Sequence, residues 1–283
     1  QNIKVSGHHL TILQQEPRIV VHYAIKYKCK RAKELKKQYD KGAADFHQIV
    51  ADMANISRTQ AKTINLGLFY GMGKNKLQNE LGLKAEQANK LFEDYHKKVP
   101  FVKDISEKFM QFSTREKLVY TLEDRFCRFD KYETTSKRWD RDKKVWEERD
   151  RETGDLVPVK LLTKKEADAE AAKIYNKTQT KKWEELTKEK REDHFTEYFV
   201  PAFTYKTLNR MVQGSAADMT KKAMVLLFEE GIIPHIQIHD ELCFSIETEE
   251  QAEKIKHIME NAIKLEVPNK VDYESGLNWG TIK

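Results

Sequence analysis

The chain has 283 residues, with 51 Lys and Arg against 45 Asp and Glu, a net charge of +6, 39% hydrophobic residues and 34% charged ones. That length supports a substantial core in one or two domains. The polarity predicts a soluble globule, because no run approaches the roughly 20 apolar residues of a spanning helix and the N-terminus has no charged-then-apolar secretory pattern. The small positive excess permits an anionic partner without identifying one.

In chain order, the opening through Tyr23 reads as a strand leading into a helix near Gln14–Arg18. Residues Cys29 to Val99 are helix-rich, with a run from Phe46 to Ala54, a helix from Arg58, and an amphipathic stretch from Lys84 to His96. A strand-like run, Val119 to Leu122, precedes Arg125-Phe-Cys-Arg-Phe129. From Tyr132 to His194 the composition is highly charged, with Trp139, Trp146 and Trp183 scattered through it. The segment predicts a hairpin around Gly154-Asp155, helices from near Thr163 and Lys181, and no chemical motif. Its preferred reading is an elaborated surface insertion. Two consecutive helical stretches follow, Phe203 to Gln213 and Ser215 to Glu229, divided at Gly214, and then a hairpin and a helix from Glu249 to Leu265. Cys29, Cys127 and Cys243 are widely separated, have no paired metal-ligand spacing, and predict reduced thiols in a cytoplasmic compartment.

Two stretches carry chemistry. On a helix, Arg58, Lys62, Leu66 and Tyr70 fall four apart and share one face, presenting two cations, an apolar spacer and an aromatic ring. That face suits a triphosphate with a base beyond it, although two such cations alone more often mark a solvated surface. Gly67, Gly71 and Gly73 each cost roughly 1 kcal/mol relative to Ala in a helix and point to close backbone approach. A P-loop is excluded, since Gly67 lies one residue too far from Gly73-Lys74 and Asn75 stands where Ser or Thr is required. The second stretch is Ile238-His239-Asp240-Glu241-Leu242. Ile236 and Ile238 alternate on one side of it and Leu242, Phe244 and Ile246 on the other, so the acidic pair falls at a hairpin tip.

The spacing of Arg58, Lys62 and Tyr70-Gly71 resembles the nucleotide-binding helix of family A DNA polymerases. His239-Asp240-Glu241 is similar to that family's second carboxylate motif, Gln14-Gln-Glu-Pro-Arg18 to the tail of the first, and Gln213-Gly-Ser-Ala-Ala-Asp218 to a fourth motif; all occur in the family's order. The resemblance implies a DNA-directed DNA polymerase with an α+β fold, in which an antiparallel palm sheet carries the acidic hairpin and helical fingers form the nucleotide face. The implied division is palm in 1–25, fingers in 26–131, a charged insertion in 132–195 and palm again in 196–283, with thumb and exonuclease domain absent. Implied catalytic residues are Asp240 and Glu241, with Asp240 a magnesium ligand of a two-metal site. Gln14, Glu16, His47, Arg58, Lys62, Leu66 and Tyr70 would bind nucleotide, Glu16 beneath the sugar where it excludes a ribose hydroxyl, and Asn209, Gln213 and His239 would contact DNA. Implied partners are primer-template DNA, dNTPs and an N-terminal polymerase fragment, with no membrane.

Three departures bear on activity. The family has an aspartate five residues before the glutamate of its first motif, and this chain has Thr11, a neutral side chain and a poor substitute for a carboxylate on a hard dication. Leu66 stands where the family commonly has an aromatic, and Glu123-Asp124-Arg125 where it often has Leu-Gly-Arg, so Asp124 inherits a turn suited to glycine. Three classes therefore stay open: a polymerase module, a DNA- or nucleotide-binding remnant without catalysis, and a relative of single-subunit RNA polymerases. Glu16 and Gln213–Asp218 argue against the last.

Overall fold

The structure, a computed structural model, describes residues 7–41, 45–69, 74–150 and 153–276. The chain forms two compact units, one of Gln1–Phe109, Tyr120–Phe126 and Tyr205–Lys283, the other of Met110–Val119 and Cys127–Thr204.

The first unit is built on a four-stranded antiparallel sheet in the order Ile236–Ile238, Glu241–Phe244, Gly7–Ile12, Val271–Gly276. The strand from the start of the chain is thus central, flanked by strands from its last fifty residues. Alternation divides the sheet's faces. Leu10 lies opposite Leu242 in the register, and both are fully buried with Ile12. The helix Gln15–Lys26 packs on the long helix Thr207–Glu229. The Tyr23 hydroxyl lies 2.8 Å from Ser215 Oγ, and Gln15 Nε2 donates to the Ala216 carbonyl at 3.1 Å. Arg18, 2% exposed, donates to the Leu13 and Pro268 carbonyls and stacks over Tyr39, so its charge is spent on the fold.

The expected break at Gly214 is absent: one 23-residue helix runs through it. A Cβ at Gly214 would come within 2.6 Å of Thr121 Cγ2, so the glycine admits the 120–126 loop rather than ending a helix. The rest of that motif holds the same loop. Ser215 Oγ accepts from the Leu122 N–H, Asp218 accepts from the Glu123 N–H and the Arg125 guanidinium, and Arg125 also donates to the Gly214 carbonyl. Asp124 has φ 55, the left-handed turn expected at the position where the family often has glycine. The last helix ends at Asn261, short of Leu265; Thr248 caps its start, accepting from the Gln251 N–H at 3.2 Å.

Within the second unit, Lys131–Thr134 pairs with Leu162–Thr163 and Phe199–Pro201, and Lys137–Asp140, Val145–Arg149 and Leu156–Pro158 form a second antiparallel sheet. The latter includes the expected hairpin around Gly154. Thr163 opens the helix Lys164–Thr178 with a capping box to Glu166. The helix expected from Lys181 begins instead at Lys188, after a single 3-10 turn at Trp183–Glu185. Trp183 enters a core with Tyr132, Ala167, Ala171, Tyr175, Leu186, Phe195 and Phe199, whereas Trp139 and Trp146 meet edge-to-face on the surface. Among the described residues no helix is long and apolar enough to cross a membrane.

Candidate active site

Three distant parts of the first unit line one cleft of about 540 Å³. Gln14, Gln15, Glu16 and Pro17 come from the start of the first helix, Gln213, Ala216, Ala217, Thr220 and Lys221 from the long helix, and Gln237, His239 and Asp240 from the acidic hairpin. Five residues nominated from the sequence therefore meet there: Gln14, Glu16, Gln213, His239 and Asp240. Both corners of the chain at the cleft are tight, because Gln14 and His239 take left-handed backbone conformations, with φ 50 and 51. Such conformations cost non-glycine residues roughly 1–2 kcal/mol. Gln237 Nε2 braces the second corner by donating to the His239 carbonyl at 2.9 Å.

Asp240 is half-buried, and burial raises its pKa above the ordinary carboxylate value, opposed by its own backbone N–H and by His239. Its carbonyl accepts from the Ile12 N–H at 3.0 Å, which brings the hairpin tip beside the end of the central strand and so beside Thr11. Glu241 opens the second strand of the hairpin, on the sheet face that carries Thr11. It lies opposite Thr11 in the register, accepts from His9 Nδ1 at 2.7 Å, and has Cys243 Sγ at 3.4 Å from the same oxygen. Burial and the Glu241 carboxylate push the Cys243 thiol up to about 11. All three cysteines are free, as expected, and this grouping arises across strands rather than from spacing along the sequence.

The cationic helix forms as Arg58–Phe69, with Arg58 and Lys62 exposed and Leu66 half-buried; Tyr70, Gly71 and Gly73 lie outside the described residues. Arg58, Lys62 and Leu66 do not line the cleft, but Arg58 is linked to it. Arg58 Nε donates to Asp45 at 2.7 Å, Asp45 accepts from Gln14 Nε2 at 3.0 Å, and Gln14 Oε1 accepts from the Phe46 N–H at 2.7 Å. Asp45 also caps the helix Phe46–Ala54, accepting from the Gln48 N–H. Burial alone would raise its pKa, but these donors outweigh burial and hold the carboxyl below its usual value.

His47 is buried, 6% exposed, and paired with Asn65, which in turn accepts from the Tyr95 hydroxyl. Burial lowers its pKa, and Arg58 and Lys62 add to that against Asp45. Asn209, half-buried on the long helix, does not line the cleft.

Sequence reasoning missed two residues of this site. Lys221 brings a cation into the cleft, and its spacing from Gln213 through Ala217, four residues each time, carried the signal. Asp45 joins the first motif to the cationic helix, and its position three residues ahead of Gln48 is a cap signature.

The magnesium pair implied by the resemblance does not fit the donors present. The clamp implied there uses the carboxylate of the first motif, and the residue at that position is Thr11, opposite Glu241 in the register. Asp240 suits one hard cation.

Comparison with known proteins identifies the assembly. A family model, DNA polymerase family A, matches residues 13–150 and 159–281. A DNA-directed DNA polymerase of Pseudomonas phage M6 is 32% identical, the alignment covering 94% of this chain and 37% of the phage protein. DNA polymerase I of Synechocystis is 29% identical over 83% of this chain and 21% of its own length, so the chain spans from about a fifth to about a third of these relatives. Among solved structures, the POL domain of Pol1 from M. smegmatis, in complex with DNA primer-template and dNTP, aligns with 97% of this chain and 40% of its own at a TM-score of 0.63; at 20% identity that likeness concerns the fold. On the motifs, the fold and the family match over most of its length, this chain belongs to DNA polymerase family A.

Proposed function

We propose that this chain is a polymerase module that binds primer-template DNA with an incoming dNTP and directs nucleotidyl transfer to the primer 3' end, at a rate held low by Thr11. The observation that carries the reading is the convergence of Gln14–Glu16, Gln213–Lys221 and Gln237–Asp240 on one cleft, although the first lies some two hundred residues from the other two in sequence. The phage relative is named a DNA-directed DNA polymerase, and the M. smegmatis fold relative was solved with primer-template and dNTP. Both names suit such a cleft.

In this reading Glu16 faces the sugar and disfavours a 2'-hydroxyl. Gln213, an uncharged amide, reads the minor-groove acceptors common to every base pair. Arg58 and Lys62 offset triphosphate charge, for which Arg58 exchanges Asp45 for phosphate. Leu66, Tyr70, His239 and Asn209 shape the nucleotide and DNA sides, and His47 positions the helix through Asn65. Glu241 acts beside Asp240, across the strands from Thr11. Asp240 holds a divalent cation, and family A polymerases generally use such ions.

The test is magnesium-dependent primer extension by this chain beside Asp240→Ala and Thr11→Asp. We expect slow extension, none in Asp240→Ala, and a gain of tenfold or more in Thr11→Asp, equivalent to about 1.4 kcal/mol of transition-state stabilisation. No binding of primer-template by any of the three, measured by fluorescence anisotropy at low salt, would defeat the proposal. Thr11 also favours a second reading, binding without transfer. Tight primer-template binding with no extension even in Thr11→Asp selects it.

A further inference from the structure

We propose that His9, Glu241 and Cys243 form a binding site for one thiophilic divalent cation of the zinc type, on the face of the sheet that also carries Thr11. The residues reach one another because of strand register. His9 and Cys243 lie directly opposite on adjacent antiparallel strands, and Glu241, two residues before Cys243, shares their face. Their donor atoms all lie within 4.8 Å of one another, with Nδ1 of His9 2.7 Å and Sγ of Cys243 3.4 Å from a single carboxylate oxygen.

A tetrahedral cation with bonds of about 2.0 Å to nitrogen and oxygen and about 2.3 Å to sulfur needs its donors roughly 3.3–3.7 Å apart. The thiol and carboxylate already have that separation, the imidazole withdraws from the carboxylate by a fraction of an ångström, and the imidazole and thiol start within 4.8 Å of each other. His9 is 7% exposed and Cys243 7%, both held in a sheet, so the site is preorganised rather than gathered from loops.

The donor set also selects the ion. Imidazole, thiolate and a single carboxylate favour zinc and its neighbours, whereas magnesium and calcium prefer oxygen donors and reject sulfur. Three protein ligands leave a fourth position for solvent or another ligand, the arrangement of an open zinc site. None of the three residues lines the cleft, and two of them, His9 and Cys243, stand two strand positions from Thr11 and Glu241. Filling it would anchor the base of the acidic hairpin, because Glu241 follows Asp240 directly.

The experiment is titration of the metal-stripped full chain with cobalt(II), read by absorption. The expected result is one equivalent bound, with the intense ultraviolet band of a cobalt–thiolate bond and the visible bands of tetrahedral cobalt, all erased by zinc. Cys243→Ser, near-isosteric, should lose the thiolate band, and Cys29→Ser and Cys127→Ser should keep it. His9→Gln should weaken binding by about 10-fold or more. Absence of the thiolate band in the wild-type chain, or its persistence in Cys243→Ser, overturns the proposal. Zinc-edge X-ray absorption on the wild-type chain checks the same point without a variant: one sulfur at bonding distance supports the site, and a shell of nitrogen and oxygen alone overturns it. These readings do not depend on DNA synthesis.

Discussion

His22 shows how a single buried side chain sets a pH limit on the first unit. It is 8% exposed, its Nδ1 accepts from the Glu266 N–H at 3.1 Å, and burial lowers its pKa to about 4, helped by Lys26. Protonation would remove that acceptor and leave a buried charge. Because the folded-state pKa is depressed, the stabilisation is complete above the unfolded value of about 6.5 and is lost as pH falls toward 4, a change on the order of 3 kcal/mol. Denaturant unfolding followed from pH 7 to pH 4 should show this fall, and His22→Gln should flatten it; an unchanged slope would assign acid sensitivity elsewhere. At this scale the sequence is legible where a motif fixes a side chain by spacing, as with Glu16 and Asp240. It is silent on His9 and Cys243, since 234 residues of sequence say nothing of which strand positions face each other. Arg18 shows the complementary limit, because a cation inside a recognisable motif serves buried carbonyls.

Among the elements, the long helix is the most instructive. The poor helix propensity of glycine predicts a boundary at 214, but tertiary contact overrides propensity at that position. A methyl group there meets Thr121 at 2.6 Å, so Gly214→Ala should destabilise the chain by about 1 kcal/mol net, overpacking of roughly 2 outweighing about 1 gained in helix propensity. Removing the Thr121 methyl resolves the clash. Gly214→Ala combined with Thr121→Ser should recover stability in thermal unfolding, and if the double variant stays as unstable as the single one, the close approach is not the reason for glycine. The acidic hairpin is plainer in the sequence, because Ile236, Ile238, Leu242 and Phe244 alternate about a polar tip and a period of two is the signature of a half-buried strand. The helix expected from Lys181 starts later because Trp183 pulls its own turn into a core that the charged composition conceals.

For the molecule as a whole, a charge of +6 spread over mixed signs gives a weak field, so DNA affinity depends on where cations stand rather than on how many there are. Lys221 stands in the cleft. Lys221→Ala should weaken primer-template binding at every sequence and reduce the slope of log affinity against log salt by about 1; an unaltered slope would place the phosphates elsewhere. The second unit allows a larger test. One core cluster of that unit is drawn from Tyr132 to Phe199, and the Ala202 N–H donates to the Lys131 carbonyl at 2.8 Å, which draws the two ends of that stretch together. Replacing 132–201 with a short Gly-Ser bridge should therefore leave nucleotide and primer-template affinities of the shortened chain within about twofold, a difference of roughly 0.4 kcal/mol; a larger loss in titrations would give the segment a share of the binding. The neck formed by Lys131 and Ala202 has a wider meaning. A stretch of polypeptide that leaves and returns through adjoining positions can lengthen, shrink or be exchanged without rethreading the backbone on either side, which makes this neck a natural attachment point for grafting a foreign domain.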